Sequence, residues 1–147
     1  MKKEILNETK IQFPSYSANE SFARSVAAAF AAQADPTVQE ISEIKTAVSE
    51  AVTNAIVHGY RDTVGIVELT LRRCSDNTIY ISVKDKGKGI KDIEQAMTPL
   101  FTTAAEEERS GLGFSVMESF MDKLRVKSIA NKGTTVIMEK KLSPRVK

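Results

Sequence analysis

Four segments of the chain alternate between apolar and polar side chains, and they come as two pairs separated by short polar turns. Residues 64–73 and 78–85 form the first pair, and residues 124–130 and 134–141 form the second. Alternation with a period of two is typical of strands with one buried face, and a short turn between two such strands predicts a hairpin. The pattern therefore predicts a mixed, largely antiparallel sheet, to which residues 10–13 add a short strand.

Helical segments fill the remaining parts of the chain. An Ala-rich helix with Asn19 as its N-cap is followed by a helix over about residues 37–58, whose cap is predicted at Asp35-Pro36. Further helices are expected over about residues 93–97 and 111–121. Because these helices need a surface on which to bury their apolar sides, the expected fold class is α+β. The architecture is a two-layer α/β sandwich with all helices on one face of the sheet.

Length and composition indicate one globular domain over residues 1–147. Hydrophobic residues make up 41% of the chain, charged residues make up 27%, and the net charge is +2, which is too small to indicate direct nucleic-acid binding. A single cysteine, Cys74, excludes an internal disulfide and is typical of a reducing compartment. The longest apolar run covers residues 26–32, and the first residues lack the apolar block of a signal peptide, so we expect a cytoplasmic protein without membrane contact.

Three polar side chains lie at helical spacing near the end of the long second helix. Glu50, Asn54 and His58 follow one another at intervals of four residues, which places them in one row along the border of its apolar face. A carboxylate and an amide oxygen are ligands suited to Mg²⁺, which takes few protein ligands together with phosphate oxygens. The alternative interpretation of this row is a solvated helix edge.

A glycine-rich segment follows the second strand of the first hairpin. Asp85 ends the strand, and Gly87 and Gly89 come next at alternate positions. Glycines would allow a flat ring to approach the backbone, and the carboxylate would accept a hydrogen bond from an exocyclic amine. The spacing differs from the Rossmann and Walker A motifs, and an exposed turn is the alternative. Thr134, at the start of the last strand, is a candidate to assist Asp85.

A second small-residue segment, residues 109–113, opens the helix that precedes the last hairpin. Free N–H groups at a helix N-terminus suit a phosphate, and the Arg109 guanidinium suits a terminal phosphate because it can bind two oxygens at once. The preceding residues 99–103 begin a loop with the length of a lid. An ordinary serine N-cap at Ser110 and a solvated loop are the alternatives.

The order of these motifs along the whole chain resembles the Bergerat-type ATP-binding fold of histidine kinases, Hsp90-type chaperones, type II topoisomerases and MutL proteins. More narrowly, the chain resembles the anti-sigma F factors of endospore-forming bacteria. The segments that carry this resemblance are residues 19–24, 50–60, 99–103 and 109–111.

The resemblance implies a homodimer that binds and inhibits the sporulation sigma factor F and phosphorylates a serine of an anti-anti-sigma protein, with ATP or ADP and Mg²⁺ bound. It implies that Glu50 is the catalytic base, that Arg109 holds the γ-phosphate, that Asn54 binds the metal and that Arg24 contacts partner proteins. The implied nucleotide-binding residues are Asn54, His58, Asp85, Gly87, Gly89, Ile90, Thr102, Thr103, Ser110, Gly111, Gly113 and Thr134.

Three alternatives remain open from the sequence. An anti-sigma B type serine kinase of the general stress response would have the same chemistry and a different partner. A non-catalytic module would capture a sigma factor and use nucleotide only structurally, although the carboxylate of Glu50 favours a catalytic site. A detached histidine-kinase domain would need a histidine acceptor on another chain.

Overall fold

A five-stranded sheet forms one layer of the protein, and the computed structural model describes residues 4–60, 63–87 and 113–144. The sheet order is β1-β2-β3-β5-β4, and every neighbouring pair is antiparallel. The strands are β1 (Ile5–Pro14), β2 (Ile66–Cys74), β3 (Thr78–Asp85), β4 (Lys123–Ile129) and β5 (Gly133–Lys141). Both predicted hairpins are confirmed, and the described strands contain no parallel pairing of the kind a mixed sheet would include.

Three α-helices cover one face of this sheet, as the fold class predicted. They are α1 (Ala18–Ala31), α2 (Val38–Asn54) and α3 (Gly113–Phe120). Inward-facing strand residues and helix residues share one core, in which the largest side chains include Ile44, Leu69, Ile81, Met117 and Met138. None of the described helices is both long and apolar enough to cross a membrane.

The small side chains of α1 allow it to pack closely on α2. Ala23, Ala27 and Ala31 recur every fourth residue and are almost completely buried. Ala47 and Ala51 of α2 are equally buried, and α1 packs against α2. This packing fixes the position of α2, which carries the polar row of the candidate site.

The predicted N-caps of both long helices were wrong. Ser17 precedes α1, while the side chain of Asn19 donates from Nδ2 to the carbonyl oxygen of Pro14 at 2.9 Å. Thr37 caps α2: its hydroxyl accepts the Glu40 N–H, and the Glu40 carboxylate accepts the Thr37 N–H. This reciprocal capping box satisfies two free donors, whereas Asp35 has a left-handed backbone with a φ of 53° and closes the short turn of Ala32–Ala34 instead.

The first strand and the end of α2 also differ from the prediction. β1 begins at Ile5, whereas the strand was predicted to begin near residue 10. The prediction missed residues 5–8 because they are exposed and therefore lack the alternation that marks a half-buried strand. The α-helical conformation ends at Asn54, and Ala55–Gly59 form a π turn that the N–H of Tyr60 closes on the Ala55 carbonyl oxygen at 3.1 Å. A π turn takes more residues than an α turn, so it changes the direction of the side chains that follow.

Candidate nucleotide-binding site

The N-terminus of α3 lies directly against the polar residues of α2. A Cβ atom added to Gly113 would lie 3.2 Å from Glu50 Oε2 and 3.4 Å from Asn54 Nδ2. The first residue of α3 therefore has room for glycine and little more. The structure thus brings together three predicted site residues: a carboxylate, an amide and a helix N-terminus whose backbone donors suit a phosphate.

Asn54, the predicted metal ligand, lies beside the first residue of α3. Its Nδ2 atom is buried and has no hydrogen-bond partner among the residues that the structure describes. An N–H donor without a partner suits an acceptor such as a phosphate oxygen, whereas Mg²⁺ would be held by the Oδ1 atom of the same amide. The same part of the chain holds no group of three or more His, Cys, Asp or Glu side chains that could enclose a metal by themselves. A small set of oxygen ligands completed by phosphate is the arrangement typical of Mg²⁺.

His58 does not continue the row of Glu50 and Asn54 as predicted. It lies within the π turn of residues 55–59, so its side chain departs from the position that eight residues of regular α-helix would give it. Periodicity could not reveal this, because the apolar pattern of α2 continues through the turn. π turns are often found at functional sites, and this one leads from Asn54 into the second half of the site.

The second half of the site is built around Asp85, the last residue of β3. Its side chain is buried, and Oδ1 accepts the N–H of Gly87 at 2.9 Å. Burial raises the pKa of the Asp85 carboxyl, and hydrogen bonds from the backbones of Gly87 and Thr134 oppose that increase without cancelling it. A buried carboxylate with little hydrogen-bonding support is a strong acceptor for a ligand.

Glycine is required around Asp85 by direct contacts. A Cβ atom added to Gly59 would lie 2.7 Å from Asp85 Oδ1, and one added to Gly87 would lie 1.8 Å from the carbonyl oxygen of Gly59. Gly133 has a φ of 121°, and a Cβ there would lie 2.1 Å from the carbonyl oxygen of Asp85. Sequence reasoning assigned Gly59 and Gly133 only to a helix end and a hairpin turn, so it missed their part in the site.

Thr134 lies opposite Asp85 in the pairing of β3 with β5, as a residue assisting that carboxylate should. Its backbone hydrogen-bonds to Asp85, while its hydroxyl lies 2.7 Å from the Ser128 hydroxyl on β4. Thr134 therefore contacts Asp85 through its main chain. The side chain links β5 to β4.

The other predicted residues divide into one described residue and seven that lie outside the described ranges. Arg24 lies on α1 with 39% of its side chain exposed, and its described partners are Glu20 and Ser21 on the same helix. The predicted residues outside the described ranges are Gly89, Ile90, Thr102, Thr103, Arg109, Ser110 and Gly111, as are the expected helix over 93–97 and the lid.

Comparison with known proteins agrees with this geometry. Residues 13–140 match the model of the histidine kinase-like ATPase domain family. The chain is 59% identical over 137 residues to the anti-sigma F factor of Thermoanaerobacter sp. strain X514, covering 93% of this chain and 95% of the relative. It is 56% identical over 135 residues to the anti-sigma F factor of Geobacillus stearothermophilus, covering 91% and 92% of the two chains.

Two solved structures share the fold. One, of the RsbU and RsbW domains of a Mycobacterium tuberculosis protein, aligns with a TM-score of 0.70 at 20% identity over 95% of this chain. This chain spans about a third of that structure's chain, with 33% covered. The other, the histidine kinase domain of an Erythrobacter litoralis blue-light activated kinase, aligns with a TM-score of 0.55 at 24% identity, covering 71% of this chain and 46% of that one.

Proposed function

The chain belongs to the anti-sigma F factor family and carries a histidine kinase-like ATPase domain, and on this basis we propose that it is an ATP-dependent protein serine kinase. The whole chain would form one domain that inhibits sigma factor F and phosphorylates an anti-anti-sigma protein on serine. The observation that carries the proposal is the contact of Gly113, at the N-terminus of α3, with Glu50 and Asn54. This contact supports the proposal, because it brings the helix end proposed to bind phosphate beside the proposed base and the proposed metal ligand.

Asp85 would recognise adenine. A carboxylate oxygen accepts a hydrogen bond from the exocyclic amine of adenine, whereas guanine presents a carbonyl oxygen at the corresponding position and is repelled. The burial of Asp85 strengthens this discrimination, because few solvent molecules can screen the interaction. Gly87 and Gly89 would allow the ring to lie close to the backbone, beside Ile90 and Thr134.

The phosphates would lie between α2 and the N-terminus of α3. Asn54 would hold Mg²⁺, which, when bound, would neutralise phosphate charge. Backbone N–H groups at Gly111 and Gly113 would donate to phosphate oxygens, and Arg109 would hold the γ-phosphate. The remaining contacts are proposed for the side chains of His58, Thr102, Thr103 and Ser110.

Glu50 would act as the general base. In the proposed step, the hydroxyl oxygen of the acceptor serine forms a bond to the γ-phosphorus of ATP, while the bond from that phosphorus to the bridging oxygen of ADP breaks. The serine proton passes to the Glu50 carboxylate, and ADP leaves with the electron pair of the broken bond. Asn54 would hold the Mg²⁺ that, when bound, would supply charge neutralisation at the phosphates. The position of Glu50 beside Gly113 supports this role, because it places the carboxylate next to the proposed phosphate site.

Partner binding is proposed for α1. Arg24 is partly exposed and paired only with neighbours on its own helix among the described contacts, so a partner carboxylate could compete for it at little cost. Sigma factor F and the anti-anti-sigma protein are proposed as its partners, and the active form is proposed to be a cytoplasmic homodimer. The family membership supports these partners.

Incubation with labelled ATP, Mg²⁺ and purified anti-anti-sigma proteins tests the proposal. We expect label on a serine of the sporulation protein, none on a serine-to-alanine acceptor, and capture of sigma factor F by the same preparation. Transfer only to a stress-response acceptor would support an anti-sigma B type kinase instead. Sigma capture without any transfer would show a non-catalytic binding module, and label on histidine would show a histidine kinase.

A further inference from the structure

The hydroxyl of Tyr60 connects two backbone groups from different parts of the sheet. Tyr60 directly follows the π turn, and its side chain is 8% exposed. The hydroxyl donates to the carbonyl oxygen of Ile66 at 2.8 Å and accepts the N–H of Lys86 at 2.7 Å. Since one atom makes both bonds, the distance between the start of β2 and the loop after β3 is fixed through it.

Lys86 is the residue between Asp85 and Gly87, so Tyr60 holds the centre of the loop that orients the Asp85 carboxylate. Gly59, immediately before Tyr60, makes the close contacts with Asp85 and with Gly87. Gly59 and Tyr60 thus contact all three residues of the loop, Asp85 to Gly87. Among these contacts of Gly59 and Tyr60, only the hydrogen bond to the Tyr60 hydroxyl involves one of their side chains. A substitution at Tyr60 can therefore remove it without changing the backbone.

The aromatic ring of Tyr60 is itself fixed from the far side. A Cβ atom added to Gly65 would lie 2.2 Å from Tyr60 Cε1, so the ring is in close contact with that glycine. Gly65 in turn exchanges two hydrogen bonds with Ser15, one from the Ser15 N–H at 2.9 Å and one to the Ser15 hydroxyl at 3.0 Å. The junction of β1 and β2 therefore supports the ring on the side of Gly65.

We infer that Tyr60 is a positioning residue for nucleotide selection, which sets the Asp85 carboxylate against the adenine amine through the Lys86 amide. The inference rests on the proposed adenine site. The hydroxyl adds little to the burial of the ring, so a phenylalanine at this position would keep the core packing and lose only the connection to Lys86 and Ile66. Its loss would loosen the orientation of Asp85 and leave the phosphate side of the site unchanged.

Titration of ADP and GDP into the wild type and Tyr60→Phe, together with urea unfolding, tests the inference. Tyr60→Phe removes two hydrogen bonds, of which the one from Lys86 acts on the Asp85 loop, and the loss of one such bond corresponds to roughly a three- to tenfold change in an equilibrium constant. We expect the ADP affinity of Tyr60→Phe to fall by about that factor and the GDP affinity to change less, so that the preference for adenine narrows. Tyr80→Phe is the matched control, because Tyr80 lies on β3 with its ring under Arg72, 4.8 Å from the guanidinium carbon, and should leave the preference unchanged.

An unchanged ADP-to-GDP ratio in Tyr60→Phe would overturn the inference, while a wild type that prefers ADP would leave the proposed function standing. Equal weakening of both nucleotides, in step with a loss of stability, would show that Tyr60 is only structural and would also overturn it. A wild type without any preference for adenine would instead refute the proposed adenine site, and this inference with it.

Discussion

Two buried carboxyl groups, one near each end of α2, have pKa values shifted in opposite directions. Glu40, in the first turn of α2, is 8% exposed, and Asp85, beside the turn that ends the helix, is 6% exposed. Both carboxylates accept backbone N–H groups. Burial alone would raise the pKa of both side chains by disfavouring the charged form. The direction of each pKa shift therefore depends on whether the hydrogen bonds of that carboxyl outweigh the effect of its burial.

Glu40 has a donor for each oxygen. Oε1 accepts the N–H of Thr37 at 2.8 Å, and Oε2 accepts the N–H of Ser143 at 2.8 Å. Burial raises the pKa of Glu40, but its hydrogen bonds to Thr37 and Ser143 outweigh that effect, and the pKa lies below its ordinary value. Glu40 thus joins the N-terminus of α2 to the segment after β5, and all of its acceptor strength is used within the protein.

Asp85 has a raised pKa because its two backbone donors do not offset its burial. A group with a raised folded-state pKa contributes stability at low pH and loses it as the pH rises through that value. Glu40 has the opposite sign, because its stabilisation is present above its unfolded pKa and is lost as the pH falls. At neutral pH, the ionised Glu40 therefore stabilises the fold, whereas the ionised Asp85 destabilises it. Such a loss of stability is expected at a residue that binds a ligand.

The largest effect, on the rate of serine phosphorylation, is expected from a substitution of Glu50. Glu50→Gln keeps the size of the side chain and removes the proton acceptor, so serine phosphorylation should fall by roughly 10²- to 10⁴-fold. ATP affinity and sigma-factor capture should remain close to those of the wild type. Phosphotransfer, nucleotide affinity and sigma binding are to be measured on the same preparation.

The control for this variant is Glu43→Gln, two turns earlier on the same helix. The Glu43 carboxylate pairs with Lys140 Nζ at 2.9 Å, and Lys140 also donates to the Phe120 carbonyl oxygen at the end of α3. This variant should lose stability and keep its rate of phosphotransfer. If ATP affinity, sigma binding and phosphotransfer all fall together in Glu50→Gln, Glu50 has a structural role. The end of α2 would then contribute to stability as its first turn does.

A smaller effect, on stability alone, is expected at Glu40. Glu40→Gln turns one of its two acceptors into an amide donor, so either Thr37 or Ser143 keeps an N–H without a partner. Leaving such a group unsatisfied costs about 1–3 kcal/mol, which urea unfolding at neutral pH would detect. ATP affinity should not change, and a marked loss of affinity would show that the capping end of α2 also shapes the site.

The smallest effect is the pH dependence of these stability differences. Between about pH 7 and about pH 3, the advantage of the wild type over Glu40→Gln should shrink as Glu40 becomes protonated in the folded state. Asp85→Asn removes a charge that burial disfavours, so its stability relative to the wild type should be highest at neutral pH and should decrease as the pH falls. Urea unfolding at several pH values measures both slopes, and slopes of the same sign would refute the opposite pKa shifts.

Much of the fold was predictable because its signals are local. Alternating segments gave both hairpins, and the helical period gave α2 up to Asn54. The capping box of Thr37 and Glu40 also has a local signature, Thr followed by Glu three residues later, which the prediction passed over in favour of Asp35-Pro36. The π turn has no such signature, since its apolar residues continue the helical pattern.

The site was predictable in its residue types and only partly in its contacts. Asp85 and Gly87 are adjacent in the sequence, so their motif pointed to a close approach of the backbone. The contact of Gly59 with Asp85 joins residues 26 positions apart and depends on how the π turn meets the end of β3. The contact of Gly113 with Glu50 depends on the packing of two helices in the same way, and no local pattern encodes it.

Titration of ATP and GTP into the wild type and Asp85→Asn tests whether the Asp85 carboxylate recognises adenine. We predict that the wild type binds ATP in preference to GTP, and that Asp85→Asn loses about 10- to 100-fold in ATP affinity, which is the contribution of a hydrogen bond to a charged acceptor. Glu40→Gln, the other buried carboxylate neutralised in the same way, should bind ATP like the wild type. Equal affinity of the wild type for ATP and GTP, or an unchanged ATP affinity in Asp85→Asn, would contradict the prediction.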